Sequence, residues 1–458
     1  MNSISLPDFL PASHIKSDPE SLAQYGKDWT SYFNIKASHV LFPRHTEDVA
    51  AIVKWARANK VALVPSGGRT GLSGAACALN GEVVVSFDKM NQIKDFNSTD
   101  QTVTVEAGVI TENLQKFAES KNLYYPVDFA ARGSAQMGGT IATNAGGIKV
   151  VRYGMTRQWI AGLTVVTGSG DILKLNNGLI KNATGYDLKQ LFIGSEGTLG
   201  FVTEALIQLT APPAPCRVLL LACQDLSHIM KVYEAFKRET TLVAFEFFSD
   251  LALNYVQKST HLSDPLSQKS PYYIVTEIEA PSASTEEKIL KVFESLLENE
   301  IITDGAMAQS AQQAQTFWRY REDISESLSP RSPYKNDVSV KISRVPAFMK
   351  GVEDVLKKAY PTWEVVWFGH IGDGNLHINI LRPPEMTKEE FVKECQKVDV
   401  QVFEAVQRHE GSISAEHGVG LTKKPFLHYS RSQEEITIMK GIKKVFDPDG
   451  IINPGKVF

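Results

Sequence analysis

Three prolines stand within the five residues of "APPAP", Ala211 to Pro215. Proline fixes φ and lacks a backbone N–H, so this stretch enters neither a helix interior nor a central strand. It is the clearest linker in the chain, and the sequence changes rhythm across it. Upstream, "TEDVAAIVKWARAN" (Thr46 to Asn59) predicts a helix capped by Thr46, with acids in its first turn and Val49, Ile52, Val53 and Ala56 on one apolar face. "VALVP", "EVVVSF" and "TVTVEAG" predict strands, "TENLQKFAES" a further helix, and "LTVVTGSGDILKL" a hairpin turning around Gly168 to Asp171. This α/β alternation runs to about Thr210. Downstream come a strand ("RVLLLAC"), a helix (Ser227 to Arg238), two strands ("LVAFEFF", "YYIVTEIEA"), the helix "TEEKILKVFESLLENE" and later the strand "VSVKIS" with a helix after it. That order predicts a ferredoxin-like antiparallel sheet with helices on one face.

The 458 residues are enough for two or three domains, each with its own core. A formal net charge of −4 offers no global attraction to nucleic acid or anionic lipid, which favours small-molecule chemistry. Cys77, Cys216, Cys223 and Cys395 include no CxxC pair and are too sparse for a disulfide scaffold, so reduced thiols are expected. "MNSISLPDFLPASHIKSDPE" lacks the marks of a signal or transit peptide, and no apolar run approaches the roughly 20 residues of a membrane helix. A soluble, cytoplasmic protein follows as the expectation, with peripheral membrane contact left open.

Three glycine-rich stretches punctuate the first part. "PSGGRTGLSGAA" (Pro65 to Ala76) follows a strand and places Gly68, Gly71 and Gly74 three apart. Such spacing lets consecutive backbone N–H groups face an anion. Without GK[ST] it is no triphosphate loop, and it does not fit GxGxxG; alone, a tight surface turn explains it equally well. "SAQMGGTIATNAGGIKVVRYG" (Ser134 to Gly154) and "GSEGTLGFVTEA" (Gly194 to Ala205) tilt the balance. Each glycine costs conformational entropy, so three such loops are hard to assign to packing. A large cofactor carrying a pyrophosphate accounts for all three.

The second part carries "FGHIGDGNLHINI", Phe368 to Ile380. On one straight strand His370 and His377 would face opposite sides, because side chains alternate with period two. The intervening "GDGN" is turn chemistry, so the chain can reverse and bring both imidazoles together, with Asn379 on the face of His377. "SAEHGVG" (Ser414 to Gly420) offers Glu416 as a third ligand, and His₂Glu is a known catalytic zinc set. From residues alone, a solvated Glu–His pair beside glycines is the slightly better reading of Glu416 and His417. "WRYREDISESL" (Trp318 to Leu328) predicts a helix with Arg321 and Ser325 on one face, and Lys335 falls just before the predicted strand. Solvated surface charges are the plain alternative for Arg321 and Lys335.

Together the three loops, "GHIGDGNLHINI", "SAEHGVG" and the terminal "INPGKVF" resemble the FAD-linked D-2-hydroxyacid dehydrogenases of the vanillyl-alcohol-oxidase flavoprotein superfamily, within it the D-2-hydroxyglutarate dehydrogenase branch. The resemblance spans nearly the whole chain. It implies an α+β architecture: a two-subdomain FAD-binding domain over residues 1–210, a ferredoxin-like cap domain over 211–415, and a segment over 416–458 returning to the flavin. It places Pro65, Ser66, Gly67, Gly68, Arg69, Thr70, Gly71, Ser73 and Gly74 on the diphosphate. Pro126, Ser134, Gly138, Thr140, Asn144 and Gly147 fall along the isoalloxazine and ribityl portions; Glu196, Gly197, Gly200 and Val202 on the adenosine half; and Asn453 beside the flavin. Arg69 stands where some members attach FAD through histidine, which implies non-covalent FAD.

The same resemblance makes His370, His377 and Glu416 ligands of Zn²⁺ or Mn²⁺ and His417 the catalytic base. Arg321, Ser325, Lys335 and Asn379 become substrate contacts, although the family more usually has threonine at the position of Ser325. It implies oxidation of a D-2-hydroxyacid, with D-2-hydroxyglutarate ahead of D-lactate or glycolate, by hydride transfer to flavin. A histidine of ordinary pKa, roughly 6.5, suits removal of the hydroxyl proton near neutrality. The acceptor would be an electron-transfer flavoprotein, a quinone or a cytochrome, and a homodimer is allowed. A non-catalytic flavin-binding electron-transfer subunit is the reading from another class; retention of His370, His377, Glu416 and His417 argues against it.

Overall fold

A computed structural model describes residues 6–30 and 33–458 of the chain, so the first five residues of the N-terminal stretch read above lie outside it. The described residues divide into two units. One comprises the described residues up to 146 with 154–212 and 416–458; the other comprises 147–153 and 213–415.

The first unit holds two sheets. Strands β1 (Ile15–Lys16), β2 (His39–Leu41), β3 (Leu63–Ser66) and β4 (Val83–Ser86) form one in the order β1-β2-β4-β3, with β2, β4 and β3 parallel. The second is antiparallel in the order β5-β6-β9-β7-β8, built from β5 (Ile93–Asn97), β6 (Thr102–Glu106), β7 (Ile160–Thr167), β8 (Ile172–Leu175) and β9 (Gly200–Gln208). Val49, Ile52, Val53 and Ala56 of the helix Thr46–Asn59 are buried in a core shared with β3, β4, Val166 of β7 and Phe201 of β9. His45, not Thr46, caps that helix. Thr46 is its first residue and spends its hydroxyl on Thr203 Oγ1, 2.9 Å away, while Asp48 accepts from the backbone N–H groups of Arg44 and His45. The C-terminal segment returns beside β3: Leu63 bridges Ile452, and Asn453 N–H donates to Leu63 O.

The second unit is one antiparallel sheet of seven strands, ordered β13-β10-β12-β11-β15-β16-β14. Its members are β10 (Cys216–Cys223), β11 (Leu242–Ser249), β12 (Tyr272–Glu279), β13 (Asp304–Met307), β14 (Tyr334–Ser339), β15 (Val365–Gly369) and β16 (Asn375–Ile380). Helices cover both faces rather than one. Phe248 of β11 packs with the helices Asp250–Thr260, Ala311–Glu322 and Ile324–Leu328. Phe245, three residues earlier and so on the opposite face, meets Tyr233 of the helix Leu226–Glu239 edge-on, with ring centroids 5.2 Å apart. A strand with apolar residues at both parities, as in "LVAFEFF", is buried on both sides, and that demands two helical layers.

Two boundaries differ in ways that matter to function. The strand expected at "VSVKIS" begins four residues earlier, because pairing with β16 runs from Tyr334 opposite Ile380 to Ser339 opposite Asn375. Lys335 is therefore a sheet residue. The helix expected through "WRYREDISESL" breaks at Asp323, leaving Arg321 buried and Ser325 exposed instead of sharing one face.

Candidate active site

In the first unit the glycine loops are pressed against one another. A Cβ on Gly68 would lie 2.2 Å from Ser134 O, so only glycine lets the first loop approach the second. Gly197 of the third loop lies against Pro65 of the first, where an added Cβ would stand 2.7 Å from the ring. Among the described residues no protein acceptor meets the backbone N–H groups of Gly67 to Ser73. A half-buried run of donors without protein partners suits an anionic diphosphate, so these loops fit FAD.

Arg69 has φ +61° and turns its guanidinium onto local partners. It donates to Gly67 O at 2.7 Å, pairs with Asp88 at 3.3 Å, and lies 4.7 Å from the centroid of the Tyr25 ring. Gly138 packs on Ala107, Thr140 Oγ1 donates to Gln136 O, and Asn144 closes the helix Met137–Thr143 in a left-handed conformation. Pro126 is buried, Ser134 is exposed, and Gly147 opens the short segment that packs with the second unit. Gly200 begins β9, while Val202 of the same strand sits in the antiparallel sheet's core.

Glu196 joins the third loop to the C-terminal segment. Its carboxylate accepts from Val419 N–H at 2.7 Å and Gly420 N–H at 2.8 Å, and its carbonyl accepts from Asn453 Nδ2 at 2.9 Å. Burial raises its pKa to about 7 against the two N–H donors that favour the charged form. Leu421 and Thr422 donate their N–H groups to Ser73 O, tying the same segment to the first loop.

In the second unit "GHIGDGNLHINI" forms β15, a turn and β16. Val365, Val366, Trp367 and Phe368 pair with Ile380, Asn379, Ile378 and His377. The turn needs Gly374, whose φ is +87° and whose Cβ would lie 2.1 Å from Val340 O. His370 and His377 meet with ring centroids 5.4 Å apart and planes at 80°. The bridge from Ser412 to Ser339 brings the following chain back to the end of β14. Four residues later comes Glu416, and one ligand atom from each of His370, His377 and Glu416 lies within 4.8 Å of the others.

Sequence reasoning missed the two carboxylates behind these histidines. Asp337 of β14 stands directly opposite His377, with Oδ1 3.6 Å from Nδ1 and 2.8 Å from Asn375 Nδ2. The β11–β15 register, Phe248 opposite Phe368 and Phe247 opposite Gly369, brings Glu246 opposite His370 at the next step. Glu246 Oε1 lies 2.8 Å from His370 Nδ1, and both carboxylates are about 1% exposed. A carboxylate hydrogen-bonded to Nδ1, as Glu246 is to that of His370, fixes the tautomer and leaves Nε2 as the ligating nitrogen, so the trio fits a divalent metal. A lone glutamate inside "LVAFEFF" was the available signal, since a buried carboxylate requires a partner.

Lys335 and Asn379 are cross-strand neighbours and share the face of His377 and Asp337. Lys335 keeps solvent contact, yet the protein packed round it desolvates the ammonium and lowers its pKa from the ordinary lysine value. Arg321 reaches the same region from its helix. Its guanidinium lies 4.8 Å from the Phe368 ring centroid, and Nη2 is 2.8 Å from Glu246 Oε2. The latter contact is an ion pair rather than a directed hydrogen bond, and Arg321 Nε has no protein acceptor among the described residues. Ser325 stands apart from this group, exposed beyond the helix break. Cys77, Cys216, Cys223 and Cys395 are free thiols.

Residues 37–176 match an FAD binding domain and residues 212–457 match the C-terminal domain of FAD linked oxidases. The chain is 56% identical to a D-2-hydroxyglutarate dehydrogenase of Stutzerimonas stutzeri, over 97% of this chain and 96% of that one. It is 50% identical to a D-2-hydroxyglutarate dehydrogenase of Xanthomonas citri pv. viticola, over 99% and 96%. Its fold matches a solved alkyldihydroxyacetonephosphate synthase with a TM-score of 0.74 at 17% identity, covering 98% of this chain and 83% of that one. With family matches over both parts and full-length relatives at such identity, the chain belongs to the FAD-linked D-2-hydroxyacid dehydrogenases, FAD-dependent enzymes acting on CH–OH groups and built on the vanillyl-alcohol-oxidase fold.

Proposed function

We propose that this enzyme oxidises D-2-hydroxyglutarate to its 2-oxo acid and requires a divalent metal, zinc or manganese. The observation that carries the metal requirement is the His370–His377–Glu416 cluster, with a buried carboxylate behind each histidine. The substrate follows that of the D-2-hydroxyglutarate dehydrogenases at 56% and 50% identity. Two further cations, Lys335 and Arg321, suit a second carboxylate.

FAD supplies the hydride acceptor, and a divalent ion supplies Lewis acidity toward a hydroxyl oxygen. His417 is the base that takes the hydroxyl proton, following the resemblance. Asn379 and Lys335, neighbours on β16 and β14, orient the acid, with Arg321 behind them. Ser325 is the weakest of the substrate contacts, given its exposure. Electrons then pass to an electron-transfer flavoprotein, a quinone or a cytochrome. No helix among the described residues is long and apolar enough to cross a membrane, and a cytoplasmic homodimer is the working form of the proposal.

The test is anaerobic mixing of metal-replete, FAD-loaded protein with D-2-hydroxyglutarate, its L-enantiomer or D-lactate. Bleaching of flavin absorbance by the first, at the highest kcat/KM, supports the proposal. Preference for D-lactate overturns the substrate, and turnover unchanged after metal removal overturns the metal requirement. His377→Ala is expected to lose metal and activity and keep FAD; loss of FAD instead would make this stretch a packing motif.

A further inference from the structure

Glu246 has more than one partner. It sits on a central strand of the seven-stranded sheet, about 1% exposed, and each oxygen of its carboxylate is directed to a different functional group. Oε1 faces His370 Nδ1 and Oε2 faces Arg321 Nη2, each at 2.8 Å. Asp337 occupies the matching place behind His377, but its second contact is Asn375 of the same turn. The two carboxylates therefore differ: Asp337 joins a histidine to an asparagine of the same hairpin, while Glu246 ties a histidine to a cation on a separate helix.

We propose that Glu246 is a positioning residue that couples metal binding at His370 to carboxylate binding at Arg321. The inference rests on the metal reading given above. A carboxylate shared by two partners transmits the position of either one to the other. If Arg321 moves toward an anionic ligand, the load on Glu246 changes, and with it the orientation of the His370 ring. Phe368 limits that movement, since its ring lies against both Arg321 and His377, the latter with centroids 5.0 Å apart. Arg321 thereby acts as a neutralised, oriented fork, whereas neither Glu246 nor Asp337 is paired with Lys335.

The measurement is Zn²⁺ affinity of the FAD-loaded protein by competition with a chromophoric chelator, with flavin content and melting temperature as controls for folding. Glu246→Gln is expected to weaken Zn²⁺ binding by about 10–100-fold with flavin content unchanged, the size seen when a histidine loses its outer carboxylate. Glu246→Asp keeps the charge but is one methylene too short to span both partners, so it too is expected to weaken Zn²⁺ binding, and it serves if the glutamine variant does not fold. Arg321→Met, at a residue that is no ligand, is expected to change Zn²⁺ affinity at least threefold in the wild-type background and not in the Glu246→Gln background. Equal effects of Arg321→Met in both backgrounds, or wild-type affinity in Glu246→Gln, overturn the coupling. His377→Ala separates this from the parent reading: if it leaves Zn²⁺ affinity intact the metal site itself is wrong, whereas if it abolishes binding and Glu246→Gln does not, only the coupling falls.

Discussion

The glycine-loop unit and the sheet of the second unit offer candidate sites built by opposite means. In the first, the glycine loops present backbone N–H groups that meet no protein acceptor among the described residues, and residue choice there consists largely of leaving side chains out. In the second, the chemistry-bearing groups are side chains on or beside paired strands, with Asp337 opposite His377 and Glu246 against His370. A backbone-built site is specified locally, because one loop's glycines open that loop. A side-chain-built site is specified by register, because a shift of one residue turns every group to the other face. The two should therefore fail differently.

The sharpest separation is expected from Gly68→Val. Its added bulk would collide with Ser134 O, so purified protein should carry no FAD while Zn²⁺ affinity stays within about threefold of wild type. Loss of both together would show that the sites are not separately built. Gly374→Ala is the counterpart in the second unit, and it should lower Zn²⁺ affinity at least tenfold with flavin retained, because the turn carrying His370 must shift away from Val340 O.

Lys335→Met comes next. Removing one charge-assisted contact should raise KM for D-2-hydroxyglutarate by about 10–100-fold and affect D-lactate far less. Desolvation lowers the pKa of Lys335, so its charge is lost at a lower pH than for an ordinary lysine. KM for the dicarboxylate should therefore climb as pH rises through that lowered value, and Lys335→Arg, charged throughout, should flatten the climb. A KM profile identical in wild type and Lys335→Arg would remove Lys335 from the substrate site.

Glu196 gives a smaller effect with a definite sign. Its folded pKa of about 7 lies above the ordinary 4.5, so its contribution is complete below pH 4.5 and lost as pH rises through 7. The full span is on the order of 3 kcal/mol at 1.4 kcal/mol per pH unit. Denaturant melts at pH 5 and pH 8 should show that difference shrinking in Glu196→Gln; an unchanged difference would assign the pH dependence elsewhere. The smallest change is expected from Arg69→Ala, which removes an ion pair with Asp88 and a stacking contact with Tyr25 and should cost about 1 kcal/mol or less, read by urea titration.

Much of this was legible before any coordinates. The proline linker marked the change of architecture, and the unit boundary falls at Pro212–Pro213. The glycine spacing announced loops that approach one another closely, and two histidines around "GDGN" announced a hairpin. Local chemistry is enough for such features, because turn residues act within a few positions of themselves. The helix through Arg321 and Ser325 read as continuous since its periodicity is unbroken, yet burial of Arg321 against Phe368 and the break at Asp323 separate the two.

By itself the sequence determined where the chain turns, which segments lie against apolar neighbours and which residues were chemically able to bind metal, flavin and acid. Only the tertiary structure decided which carboxylates serve which histidines. Glu246 is 124 residues from His370, and no local rule links them. They meet because β11 pairs with β15 and β14 with β16, each at one register, and register is set by the packing of both sheet faces together.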